Sequence, residues 1–126
     1  MTKLTFAIPK GRLGDQSILQ LNKIGYGFTI DDSSRKLMFT DHNQQIEYLF
    51  VKPSDVIPYV ESGVCDLGII GKDVLLESDT DMLELLELPF GYCKFAIAGR
   101  KNKFHMISDP YIKIATKYPK VTKTYF

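Results

Sequence analysis

Apolar residues first gather at Leu4-Thr5-Phe6-Ala7-Ile8, a short run closed by Pro9 that predicts a fully buried strand. After the polar stretch Lys10-Gly11-Arg12-Leu13-Gly14, apolar positions fall at Ile18, Leu21 and Ile24, the three-residue step of a helix. Asp15 is its expected N-cap and Gly25 its stop. Residues 36–40 and 45–51 read as two strands around the turn Asp41-His42-Asn43-Gln44. A helix capped by Asp55 tolerates Pro58 in its first turn and is expected to end at Gly63. Residues 65–70 predict another buried strand, and Gly71-Lys72-Asp73 opens a short helix. Residues 82–88 and 94–98 predict further strands. The polar stretch 99–109 reads as a linker, residues 112–115 as the opening strand of a second unit, and residues 120–126 as the start of an amphipathic helix.

Strands alternating with short helices indicate an α/β fold with a largely parallel sheet. At 126 residues the chain fits one domain and the beginning of a second. A 44% hydrophobic fraction with 25% charged residues suffices for a core without metal or disulfide staples. Sixteen basic against fifteen acidic residues leave a net charge of +1, which argues against a general nucleic-acid binder. Any basic chemistry must therefore be local. No apolar run has the length of a signal core or a membrane span, so a cytoplasmic location and no membrane partner are expected. Cys65 and Cys93 lie in apolar runs and are expected to be free, buried thiols. His42 and His105 lack partners at ligand spacing, so no dedicated metal site is expected. Glu77, Asp79 and Asp81 suit a solvated helix end.

Four motifs could carry chemistry. Lys10-Gly11-Arg12 follows a buried strand, where parallel sheets place their ligands. Glycine permits close backbone approach, the next helix offers free N–H groups, and Arg12 adds a guanidinium fork suited to phosphate. An ordinary basic surface loop is the alternative. Asp66-Leu67-Gly68-Ile69-Ile70-Gly71-Lys72-Asp73 repeats that layout without matching a P-loop or a dinucleotide fingerprint. Its weight comes from pairing with the first loop at one sheet edge. Ser33-Ser34-Arg35-Lys36 is either a basic binding pair or a charged guard on a strand edge. Ala115-Thr116-Lys117-Tyr118-Pro119 suits a polar ligand with a planar part, or a structural turn.

Taken in order, these segments and Ser54-Asp55-Val56-Ile57-Pro58-Tyr59-Val60-Glu61-Ser62-Gly63 resemble the catalytic subunit of the ATP phosphoribosyltransferase family, which opens histidine biosynthesis. The resemblance runs from Leu4 to Phe126. It implies a cleft between two α/β domains like those of type II solute-binding proteins, each a mixed sheet with flanking helices, with residues 1–99 in the first, 100–111 as crossover and 112–126 beginning the second, incomplete one. The implied reaction joins ATP to phosphoribosyl pyrophosphate, giving phosphoribosyl-ATP and pyrophosphate, with Mg2+ accompanying the substrates. Arg12 resembles the arginine that contacts substrate phosphates. Arg35 and Lys36 resemble a basic pair that reaches pyrophosphate, in the same or a neighbouring subunit. Lys10, Gly11, Asp66, Gly68, Gly71, Lys72, Thr116 and Lys117 are the further substrate-binding candidates that the resembling segments carry.

The family's ribose 5-phosphate loop, acidic and containing Thr-Gly, would lie beyond Phe126. The expectation is that these 126 residues alone bind ATP or AMP weakly and do not turn over. The implied partners are a second copy of the chain and a regulatory subunit resembling histidyl-tRNA synthetase, as in the family's short form. Two other readings stay open at this point. One is a non-catalytic nucleotide- or solute-binding domain. The other is a fragment that needs a partner to complete its site.

Overall fold

The strand β1, Leu4–Pro9, lies between two parallel neighbours and organises everything around it. In the computed structural model, which describes residues 3–29, 36–102 and 110–126, two units are distinguished, Met1–Gly91 and Tyr92–Phe126. In the first, β1 pairs with β3 (Ile46–Val51) in a register running from Leu4 opposite Ile46 to Pro9 opposite Val51. On its other side it pairs with β4 (Leu67–Gly68), Phe6 opposite Leu67 and Ala7 opposite Gly68. The short β2 (Met38–Thr40) adds antiparallel to β3, giving the order β2-β3-β1-β4.

Strand side chains alternate between faces, so β1 feeds two cores. Ile8, with Phe6 beside it, packs with Ile46, Tyr48, Phe28 and Ile18 on one face. Ala7 packs with Val51, Val56 and Cys65 on the other. This double burial explains why β1 reads as one apolar run rather than an alternation. Helix α1 (Arg12–Lys23) places Ile18 and Leu21 on the first face. A 3-10 turn at Pro53–Asp55 leads into α2 (Val56–Glu61), which places Val56, Tyr59 and Val60 on the second. The sheet is thus covered on both sides. Each such side chain, fully buried, contributes about 2 kcal/mol. Helix α3 (Lys72–Glu77) follows β4.

The β2–β3 turn is held by Asp41, which is 2% exposed. Its carboxylate accepts from the N–H groups of Gln45 at 2.6 Å, Ile46 at 2.8 Å and Asn43 at 3.2 Å. Burial raises its pKa, but the three donors together outweigh that and hold it below the usual carboxylate range. Nearby, Tyr48 is fully buried and donates its hydroxyl to the Tyr26 carbonyl at 2.6 Å. This polar lock closes the end of the sheet where β3 begins.

The sheet is mixed and flanked by helices, as expected, because β2 runs back along β3 in a hairpin. Several other elements differ from expectation. Helix α1 starts at Arg12, so Asp15 lies in its first turn instead of capping it. Asp55 makes no side-chain cap, since the 3-10 turn already leads the chain into α2. β4 is two residues long, although Asp66 N–H to Thr5 O at 2.9 Å and Ile69 N–H to Ala7 O at 3.0 Å continue its pairing. Among the described residues, 82–88, 94–98 and 112–115 form no strand. Their apolar side chains Leu83, Leu85, Leu86, Phe95, Ile97 and Ile114 are exposed: β propensity is there but a hydrogen-bonding partner is not. For the same reason Cys93 is exposed, whereas Cys65 is buried and its thiol pushed up by that burial and then by Asp66. Both cysteines are free.

In the second unit α4 (Pro119–Tyr125) starts on its proline, and the Phe95 ring meets Tyr118 edge-on with centroids 5.0 Å apart. Among the described residues no helix is long and apolar enough to cross a membrane.

Candidate functional site

Because β1, β3 and β4 are parallel, their carboxyl ends share one edge of the sheet. Loops leaving that edge are where such sheets hold ligands. The exits of the two central strands are joined: Lys10 N–H donates to Val51 O at 2.8 Å. The chain then turns through Gly11, whose φ of +105° lies in the region that favours glycine, and enters α1 at Arg12. Asp15 N–H to Gly11 O at 3.0 Å is the first bond of the helix ladder, so the amides before it point outward unpaired by the helix. Gly14 lets this first turn sit directly on β1. A Cβ there would collide with the Pro9 carbonyl oxygen and stand 3.4 Å from Ile8 Cγ2.

Of the predicted residues, Lys10, Gly11 and Arg12 therefore lie together at the exit of β1, all exposed. Gly71 and Lys72 lie just past β4, where Gly71 precedes α3 and its carbonyl accepts from Leu75 N–H at 3.1 Å. Lys72 Nζ is engaged by Glu84 Oε2 at 2.8 Å. Lys36 comes to the same edge from the other direction. Leu37 O accepts from Phe50 N–H at 2.8 Å, which sets Lys36 at the end of the sheet where β3 finishes. Its Nζ stands 5.8 Å from the Phe39 ring centroid. Arg35 lies outside the described residues.

Two candidates lie elsewhere along β4. Asp66 sits at its start, with Oδ2 accepting from Thr5 N–H at 2.9 Å, four residues back from Pro9 along β1. Gly68 makes room for α2, since a Cβ there would stand 2.7 Å from Val56 Cγ1. Thr116 and Lys117 belong to the second unit and are exposed. Thr116 Oγ1 accepts from Tyr118 N–H at 2.9 Å and lies 3.2 Å from Thr122 Oγ1, so it organises the entry to α4.

One residue escaped the sequence reading. Lys52 directly follows β3, the same layout that singled out Lys10 after β1. The carboxyl edge thus carries Lys36, Lys52, Lys10 with Arg12, and Lys72, in the order of strands β2, β3, β1 and β4. At about 4.8 Å between neighbouring strands the row extends roughly 14 Å. Among the described residues Lys10, Arg12 and Lys52 form no ion pair, while Lys3 and Lys72 do. Such a row attracts an extended polyanion and, with the free amides at the start of α1, can hydrogen-bond it. A shallow recess of about 380 Å³ at Pro58, Tyr59, Ser62 and Val64 is mostly apolar, has no cation among those residues, and involves the far end of α2. It is the weaker candidate.

The family model described as HisG, ATP phosphoribosyltransferase, matches residues 52–126. This chain belongs to the ATP phosphoribosyltransferase family. It is 51% identical over 126 residues to the ATP phosphoribosyltransferase of Clostridioides difficile, covering all of this chain and 61% of that one. It is 44% identical over 128 residues to ATP phosphoribosyltransferase 2 of Geobacter sulfurreducens, covering 98% of this chain and 60% of the relative. The chain thus spans about three fifths of these ATP phosphoribosyltransferases. Among solved structures it is similar to a chain of the ATP phosphoribosyl transferase (HisG:HisZ) complex from Thermotoga maritima. There the TM-score is 0.57 at 36% identity, over 69% of this chain and 41% of that chain. The family resemblance read from the five segments is borne out.

Proposed function

We propose that this chain supplies the phosphate-binding part of an ATP phosphoribosyltransferase, which joins ATP to phosphoribosyl pyrophosphate in the first step of histidine biosynthesis. The observation that carries the reading is the cationic row at the sheet's carboxyl edge, with Lys10 and Arg12 unpaired among the described residues of a chain that belongs to this family. In the reaction, a ring nitrogen of ATP bonds to the ribose anomeric carbon as the bond to pyrophosphate breaks. The attacking atom belongs to the substrate, so the protein's task is alignment and charge stabilisation. Arg12 is assigned to substrate phosphate, and Arg35 with Lys36 to the leaving pyrophosphate. Lys10, the Gly11 turn, Gly71 and Lys72 line the same binding surface. Lys72 exchanges Glu84 for phosphate, at little cost because exposed ion pairs contribute only about 0–1 kcal/mol. Thr116 and Lys117, in the second unit, are assigned to substrate binding as well, and the whole protein is assigned the type II solute-binding kind of architecture. Asp66 and Gly68 act by fixing β4.

Among the described residues no three His, Cys, Asp or Glu side chains come together to hold a metal. Mg2+ is assigned to the substrates because their phosphates are its usual ligands, and it would partly neutralise their charge when bound. The similar Thermotoga maritima structure is a HisG:HisZ complex, and we extend that arrangement to the whole protein as a regulatory partner, together with self-association of the catalytic chain.

The test is titration of the chain with ATP and with phosphoribosyl pyrophosphate, followed by a pyrophosphate-release assay. ATP should bind, and turnover should require sequence that the longer relatives possess beyond the matched region. In a chain that turns over, Arg12→Ala should lower kcat/KM at least about tenfold, roughly 1.4 kcal/mol of transition-state stabilisation. A folded chain that binds neither substrate would refute the assignment.

A further inference from the structure

We propose that Lys52 is a further phosphate-binding residue of this edge, bridging Lys36 and the Lys10-Gly11-Arg12 loop so that one polyphosphate is gripped across the ends of β2, β3 and β1. The inference rests on the phosphate-binding reading given above and adds a residue to it. Pro9 and Val51 are in register, and Lys10 N–H bonds to Val51 O at 2.8 Å, so Lys52 and Lys10 leave the sheet from adjacent, tied positions. The main chain at Lys52 is extended, with φ −60° and ψ 147°, and its carbonyl accepts from Asp55 N–H at 2.9 Å. Pro53 follows immediately and stiffens the turn. The backbone is thereby fixed while the side chain stays exposed. Asp55 is three residues away, yet among the described residues Lys52 has no carboxylate partner. Lys52 therefore stands between Lys36 and Lys10, each about one strand spacing, roughly 5 Å, away across the edge. A single phosphate cannot occupy all three positions. A di- or triphosphate can, and its charge offsets the repulsion between Lys52 and the neighbouring Lys10 and Arg12, which form no ion pair among the described residues.

The experiment compares the wild-type chain with Lys52→Met, Lys52→Arg and Arg12→Ala by calorimetric titration against ATP, phosphoribosyl pyrophosphate and adenosine, with a thermal melt of each protein without ligand. Lys52→Met should weaken binding of at least one polyphosphate compound about tenfold, equivalent to about 1.4 kcal/mol. Lys52→Arg should restore it, adenosine binding should be unchanged, and the melting temperature should not fall. Loss for ATP alone or for phosphoribosyl pyrophosphate alone supports the proposal and identifies whose phosphates Lys52 holds. If Arg12→Ala weakens binding and Lys52→Met does not, Lys52 is excluded while the edge assignment stands. If Lys52→Met lowers stability and Lys52→Arg fails to restore affinity, the role is structural and the proposal is overturned. If the folded wild type binds neither polyphosphate, the edge assignment falls and the proposal with it.

Discussion

Gly14→Ala pits two effects of opposite sign against each other. Alanine in a helix interior is favoured over glycine by about 1 kcal/mol, so on helix propensity alone the variant would be more stable. The added Cβ, however, would overlap the Pro9 carbonyl oxygen, stand 3.2 Å from that carbonyl's carbon and 3.4 Å from Ile8 Cγ2. Pro9 cannot retreat. It is fully buried, in register with Val51, and the next residue's N–H is bonded to Val51 O. The first turn of α1 must move outward instead, and overpacking of this kind costs about 1–3 kcal/mol. A clash with backbone belongs at the upper end of that range, which leaves a net loss of about 2 kcal/mol. For a folding unit of under a hundred residues that is a fall in Tm of roughly 8–16 °C. The assay is a thermal melt of the chain and its variant, repeated in urea. A melting temperature equal to or above wild type would refute the packing argument. Because Gly11 and Arg12 belong to the displaced turn, affinity for ATP should fall as well.

Other consequences are equally direct. Burial first, then the charge of Asp41, and Tyr26, hold the Tyr48 hydroxyl up to about 12, against about 10 in an unfolded chain. The stabilisation is complete below pH 10. Between pH 10 and 12 the unfolded chain loses a proton that the folded chain keeps, so stability should fall by roughly 2–3 kcal/mol there in urea melts. Tyr48→Phe should remove that alkaline dependence and cost about 1 kcal/mol at neutral pH, since the Tyr26 carbonyl loses its donor. Asp41 behaves in the opposite sense: its lowered pKa contributes stability above about pH 4 that is lost as acid protonates it in the fold, visible in acid melts. Asp41→Ala should remove that dependence and cost about 2 kcal/mol or more, because Ile46, Gln45 and Asn43 lose their acceptor.

What the sequence made legible was local. The run Leu4 to Ile8, the turn at residues 41–44 and the glycines after β1 and β4 each announce themselves within a few residues, and each is where the reading put it. The basic loop before α1 was legible for the same reason: a strand end, a glycine and an arginine follow one another in the chain. What escaped depends on partners distant in sequence. The exposed stretches around Leu85 and Phe95 have strand composition, but composition does not supply a neighbour. Asp66 looked like part of a loop motif, yet its register against Thr5 sets it at the opposite end of its strand. Lys52 went unnoticed because its significance arises only when Val51 is laid beside Pro9.

Amide chemical-shift mapping of the chain during titration with ATP tests the central assignment most directly. The account predicts perturbations concentrated at residues 10–13, 52–55 and 71–73, where the loops leave the carboxyl edge, with Asp41 to Gln45 and Asp66 at the other end unaffected. Perturbations centred on that opposite end, or on the recess at Pro58 and Val64, would contradict it.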